Sequence, residues 1–157
     1  RVRGELGSTQ NLLRSQLYKE SFERINRGLK EGNFWEVISL CDSLIIDRVN
    51  SVLQFIRKDE DNDYPFQSVG ETIGILFMEV KDKNFTLDKE LKKLLVDVEQ
   101  SWLPKRNFSV HSFVVITNKT KDWDVDHRLN LIKECSEEGS ILCRKITDQT
   151  DTLLKKL

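Results

Sequence analysis

Histidine changes charge near neutral pH without help from its surroundings, which suits it to acid and base catalysis. The 157-residue chain has two, His111 and His127. His127 lies in Asp124-Val125-Asp126-His127-Arg128, among acids that favour the first turn of a helix, and reads as a solvated surface residue. His111 is different. It closes Pro104-Lys105-Arg106-Asn107-Phe108-Ser109-Val110-His111, with an arginine five positions earlier and Asn107 directly behind that arginine. The arginine and the histidine both have chemistry to offer: a guanidinium holds anionic oxygens, and an imidazole moves a proton. Five residues of helix rise about 7.5 Å and overshoot one turn, so Arg106 and His111 do not share a stripe and the arginine has to reach. A helix beginning after Pro104 would let it fold over a first turn whose free N–H groups also attract phosphate. Asn107, four residues before His111, shares its face and can fix the imidazole or touch the same substrate.

Other constellations are weaker. Two distant histidines and scattered cysteines supply no metal-ligand spacing, so no metal and no cofactor are expected. No strand-turn-helix context supports a serine nucleophile. Lys105, Lys119 and Lys121 surround the motif in sequence and read as a local basic rim for RNA phosphates, with Lys92 and Lys93 equally well explained as a helix's outer face. Trp102 and Phe108 flank the motif and have the chemistry to stack a base, but as members of apolar stripes they are expected in the core. Asp42, Asp47 and Arg48 read as a solvated face of an early helix, with Asp42 the one acid there that is a candidate to face the motif.

Arg106-Asn107 followed by His111 resembles the signature of HEPN domains, compact helical bundles that usually dimerise and whose active members are metal-independent ribonucleases. The close match covers six residues; the rest is a likeness of architecture. The resemblance implies attack of an RNA 2′-hydroxyl on its neighbouring phosphate, giving a 2′,3′-cyclic phosphate, with Arg106 and His111 catalytic and Asn107 and Asp42 supporting. It also implies a homodimer, a prokaryotic toxin or anti-phage defence role, and an antitoxin or nucleotidyltransferase partner. Two other readings stay open: a non-catalytic helical module that binds RNA, a nucleotide or a protein, and a structural bundle in which His111 is a core histidine and Arg106 an ion-pair partner.

The elements that must carry these residues are helices. Only Pro65 and Pro104 interrupt the chain, and apolar residues recur at three- and four-residue spacing. The spacing predicts a helix from about Thr9 to Lys30 with Leu13, Leu17, Ile25 and Leu29 inward, stopped at Gly32. Asn33 and Glu36 fit a capping box for a second helix, with Val37, Leu40, Cys41, Leu44, Ile45, Val49, Val52 and Ile56 along its stripe. Lys58–Phe66 reads as a solvated loop. A third helix spans about Gln67 to Val80, where Gly70 and Gly74 suit close helix approach. A fourth runs from Thr86 to Trp102 and ends at Pro104. A fifth segment runs from Arg106 to about Thr117, and a last helix from Asp124 to Lys156 carries Leu129, Ile132, Cys135, Leu142, Ile146, Leu153 and Leu154 inward. The fold class expected is therefore all-α, an up-and-down bundle of five to six helices. Residues 1–8 are read as a disordered or appended end and 9–157 as a single domain.

Composition sets the outer bounds. With 38% hydrophobic residues the chain is too apolar for disorder, and 32% charged residues fit long amphipathic helices. Lys and Arg number 25 against 26 acids, which excludes a global positive field, so any nucleic-acid site must be local. Cys41, Cys135 and Cys143 are odd in number and lack a C-x-x-C pair, which points to a reducing compartment. No apolar run approaches a membrane span and no signal-peptide pattern opens the chain, so a cytoplasmic protein without membrane attachment is expected.

Overall fold

Each amphipathic helix has one apolar face that must be covered, and here the cover is other helices. The computed structural model describes the backbone of residues 5–58 and 67–156 and the side chains of 11–58 and 67–156. The elements are α1 (Glu5–Glu31), α2 (Phe34–Arg57), α3 (Val69–Asp82), α4 (Lys89–Asp97), a π-helical turn (Val98–Trp102), α5 (Leu103–Ser112) and α6 (Val125–Lys156). The π turn joins α4 to α5 without a break, so the bundle has five rods, and there is no strand among the described residues. The predicted all-helical class holds.

Side-chain partners fix the directions. Arg24 meets Glu36 and Arg14 meets Asp47, so numbers rise on one helix as they fall on the other, and α1 and α2 are antiparallel. Asp88 meets Lys156 and Trp102 meets Cys135, so numbers rise on one as they fall on the other, which makes the α4–α5 rod antiparallel to α6. Asp42 meets Arg106 and Trp35 meets Phe113, so α2 also opposes α5. Helix α2 packs most extensively against α6, α3 and α1. Cys41 meets Cys143 and Arg48 meets Asp151, and Arg57 at the end of α2 meets Glu79 near the end of α3. Helices α6 and α3 therefore run in the same sense as α2, and the rods do not alternate strictly up and down.

The core is built on α2. Val37, Cys41 and Ile45 are fully buried there, with Ile25 from α1, Ile73 and Leu76 from α3, Leu95 from α4, and Ile132 and Ile146 from α6. Each large aliphatic side chain so buried contributes about 1.5–3 kcal/mol relative to exposure. The α1–α2 turn depends on glycine: Gly32 has φ +85 and donates to the Gly28 carbonyl at 2.9 Å, a left-handed cap that ends α1. Ser68 and Glu71 form a reciprocal capping box on α3, and Asp88 accepts from the Glu90 N–H at 3.2 Å to open α4.

Several sequence expectations change. Helix α1 starts at Glu5 rather than Thr9, so residues 5–8 are helical, and 1–4 lie outside the described residues. The loop expected at Lys58–Phe66 lies outside them too, apart from Lys58. Leu13 and Leu17 are more than half exposed, because the packed stripe of α1 is Arg14, Tyr18, Phe22, Ile25 and Leu29, about 100° around the helix. Leu129 is exposed for the same reason: the inward stripe of α6 passes through Arg128 and Ile132. No capping box forms at Asn33, since Glu36 turns to Arg24 at 3.1 Å. The closest helix approaches fall at Gly28, against Val37, and at Gly139, against Trp102; Gly74 faces open space.

Pro104 does not end a helix. Proline has no N–H and crowds the carbonyl four residues back. The chain adjusts just ahead of it by widening into the π turn, where the Leu103 N–H donates to the Val98 carbonyl, and the rod runs on to Ser112. The α-helix then stops five residues short of Thr117, with the Val114 and Val115 N–H groups both donating to the His111 carbonyl.

Candidate functional site

Helical phase on α5 turns Arg106, Asn107, Val110 and His111 toward α2, where Trp35, Ile38, Ser39 and Asp42 form the facing wall. The two walls enclose a shallow cleft of about 280 Å³.

Arg106 is held from three directions. Its Nη1 donates to Asp42 Oδ2, its Nε and Nη2 donate to Asn107 Oδ1 at 3.2 and 3.0 Å, and its Cζ stands 5.7 Å from the centre of the Trp102 ring. A guanidinium has five N–H donors; three are used, and two remain for a ligand. The Trp102 indole is itself fixed, 1% exposed and donating through Nε1 to the Cys135 carbonyl at 2.9 Å. The guanidinium is thus pre-oriented, the condition under which electrostatic stabilisation acts without reorganisation.

Burial pushes the Asp42 carboxyl above its ordinary range, against the opposing pull of Arg106 through charge and hydrogen bond. Its Oδ1 is buried with no protein partner, which accounts for the strength of the desolvation. Even so, Asp42 is the counter-ion that aims Arg106 into the cleft. His111 is exposed on the same wall. That excludes the reading of His111 as a core histidine, despite the apolar run Phe113 to Ile116 behind it. Val114, Val115 and Ile116 in that run are 53–78% exposed.

The cleft therefore unites Arg106, Asn107, His111 and Asp42, the last from 64 positions away. Two expectations about them are corrected. Asn107 secures the arginine rather than the imidazole. Arg106 lies inside a continuous rod, so the helix N-terminus expected to bind phosphate beside it does not exist. The basic rim is dispersed: Lys105 faces α6 and pairs with Glu138 at 3.3 Å, Lys119 sits 5.2 Å over the Phe108 ring, and Lys121 is exposed in the same loop as Lys119. Phe108 is 41% exposed and packs edge-on against Trp123, so it is not core as expected, whereas Trp102 is.

Sequence reading missed Trp35, whose only signal was an aromatic one step off the α2 stripe. It also missed two buried arginines. Arg48, expected on a solvated face, is 6% exposed; it donates to Tyr18, Asp47, Asp151 and Ser51, tying α1 and α6 to α2. Arg128, 7% exposed, donates to the carbonyls of Ser112, Trp123 and Thr120, pinning the loop that follows α5. His127 is exposed and leans on Trp123, 4.5 Å between ring centres, as a surface residue at the start of α6.

The three thiols are free and buried. Cys41 is raised by its contact with Cys143 and by burial, and Cys135 is pushed up to about 11, chiefly by burial, so neither is suited to nucleophilic work. Among the described residues no group of three or more His, Cys, Asp or Glu is arranged to hold a metal ion, and no helix is long and apolar enough to cross a membrane. Compared with protein-family models, curated proteins and solved structures, the chain finds no match in any of the three.

Proposed function

We propose that this chain is a metal-independent endoribonuclease of the HEPN type. The observation that carries the reading is the seating of Arg106 by Asp42, Asn107 and the Trp102 ring, with two donors unused, on the same cleft wall as an exposed histidine. In this reading an RNA phosphate bound by Arg106 presents its neighbouring 2′-hydroxyl to His111, which lines the same cleft. The 2′-oxygen attacks phosphorus and gives up its proton as the O2′–P bond forms and the P–O5′ bond breaks. The departing 5′-oxygen gains a proton, leaving a 2′,3′-cyclic phosphate and a 5′-hydroxyl. His111 serves one of these two transfers, and Arg106 neutralises charge on the non-bridging oxygens. A second copy of the chain, brought up against the exposed Val114, Val115 and Ile116, supplies a second imidazole for the other. A toxin or defence role in a prokaryotic cytoplasm, restrained by an antitoxin or nucleotidyltransferase partner, is the setting the family resemblance suggests.

The test is incubation of wild type, Arg106→Ala and His111→Ala with total RNA in EDTA, scoring fragment ends for cyclic phosphate. Cleavage by the wild type alone, with both variants fully helical by circular dichroism, is expected. Equal cleavage by all three overturns the assignment. The same exposed patch at Val114–Ile116 favours, as a second reading, a non-catalytic module that docks a protein. Stable binding without new RNA ends would select it.

A further inference from the structure

Trp35 is a large aromatic side chain that folding leaves partly open. It lies on α2 beside the buried positions Val37, Ile38 and Cys41, yet it is 43% exposed. Among the described residues its one ring partner is Phe113, met at 85° with 5.4 Å between centres. The other two tryptophans are engaged: Trp102 is buried, and Trp123 packs against both Phe108 and His127. Phe108, also exposed, already has Lys119 over its ring. Trp35 alone offers a large open aromatic surface inside the cleft.

Its position relative to the catalytic pair follows from the antiparallel register. Two rungs cross from α2 to α5, Trp35 to Phe113 and Asp42 to Arg106. Seven residues of α2 separate them, about 10 Å along the axis. His111 lies between the rungs, on the opposite wall. A phosphate, its ribose and its base, laid out in line, span a comparable length in the same order.

Resting on the ribonuclease reading above, we infer that Trp35 stacks the base of the nucleotide whose 2′-hydroxyl attacks. The ribose then lies against His111 and its 3′-phosphate on Arg106. A base held on an indole face cannot at the same time sit in a helical stack, so the substrate is RNA that is single-stranded at the cleavage site. Trp35 is therefore a specificity residue, selecting unpaired nucleotides by a π face that every base can use.

The experiment uses a mixed-sequence oligoribonucleotide carrying 2′-fluoro groups, which binds without an attacking hydroxyl, read by fluorescence anisotropy as a single strand and as a duplex with its complement. Wild type should prefer the single strand. Trp35→Ala should weaken single-strand binding by about 5- to 150-fold, the usual effect of removing one stacked base, and leave the weak duplex binding alone. Trp35→Phe should recover most of the loss, and Trp35→Leu, which keeps apolar bulk without a π face, should not. Oligomeric state, by size-exclusion chromatography with light scattering, should be the same in all four proteins. If Trp35→Leu binds as well as Trp35→Phe, or if the loss tracks dissociation of the oligomer, the stacking role is wrong although the nuclease reading stands. If the wild type binds neither strand nor duplex, the RNA reading falls and this inference with it.

Discussion

Gly139→Ala gives the sharpest test of how the site is held. Gly139 lies in the middle of the 32-residue α6, where local reasoning favours alanine: a helix-interior glycine costs about 1 kcal/mol relative to alanine. The structure reverses the sign. A Cβ on Gly139 would lie 2.6 Å from Trp102 Cζ2, 2.9 Å from Cε2 and 3.1 Å from Nε1, against a rigid ring that is 1% exposed. Overpacking of this kind costs about 1–3 kcal/mol. Moving the indole also strains its 2.9 Å bond to the Cys135 carbonyl, worth about 1 kcal/mol. Set against the gain in propensity, the net effect is a destabilisation of about 2 kcal/mol. For a chain of this size that is a fall in Tm of about 4–8 °C. Thermal and urea unfolding followed by far-ultraviolet circular dichroism measures it. In a Trp102→Leu background the penalty should largely vanish, because the ring is then absent. A Tm equal to or above the wild type's would refute the packing argument, and a penalty that persists without Trp102 would refute its assignment to that ring.

The other predictions concern Asp42 and Arg128. A carboxyl whose pKa rises on folding holds its proton more tightly in the native state, so its contribution favours folding at acid pH and is lost as pH rises through the native value. With Asp42 raised by burial, the Tm of the wild type relative to Asp42→Asn should improve as pH falls from about 7 toward about 4. A flat difference, or one of opposite slope, would contradict an environment dominated by desolvation. Arg128→Met keeps the aliphatic stem but releases three carbonyls at the ends of one loop. Hydrogen bonds to a charged donor contribute about 1.5–3 kcal/mol, so a global loss of about 3 kcal/mol is expected, with accelerated amide exchange concentrated in residues 113–124. Unchanged exchange there would show that the loop is held by something else.

The proposed ribonuclease site joins a motif written in the sequence to a seat that only folding made. The Arg106-Asn107-His111 spacing is a local fact, as is the four-residue step that puts Asn107 and His111 on one face. What Arg106 binds is not local. Helical phase alone put it off the His111 stripe and suggested a break at Pro104 to bring it back. The π turn removes the need for a break, and Asp42 draws the guanidinium into the cleft from the opposite wall.

By itself the sequence determined the helical class, the long stripe of α2 and the stop at Gly32, because hydrogen-bonded turns and apolar periodicity are written within windows of a few residues. It also determined which side chains were available for chemistry. The tertiary structure decided which face of each helix turned inward, and so left Leu13 and Leu17 exposed while burying Arg48 and Arg128. It decided too that Trp35 and Asp42 would face α5, and that Gly139 would be a requirement rather than a weakness. A rotation of about 100° separates a core position from a surface one on the same helix, and that rotation is set by the joint packing of five rods, which no short window contains.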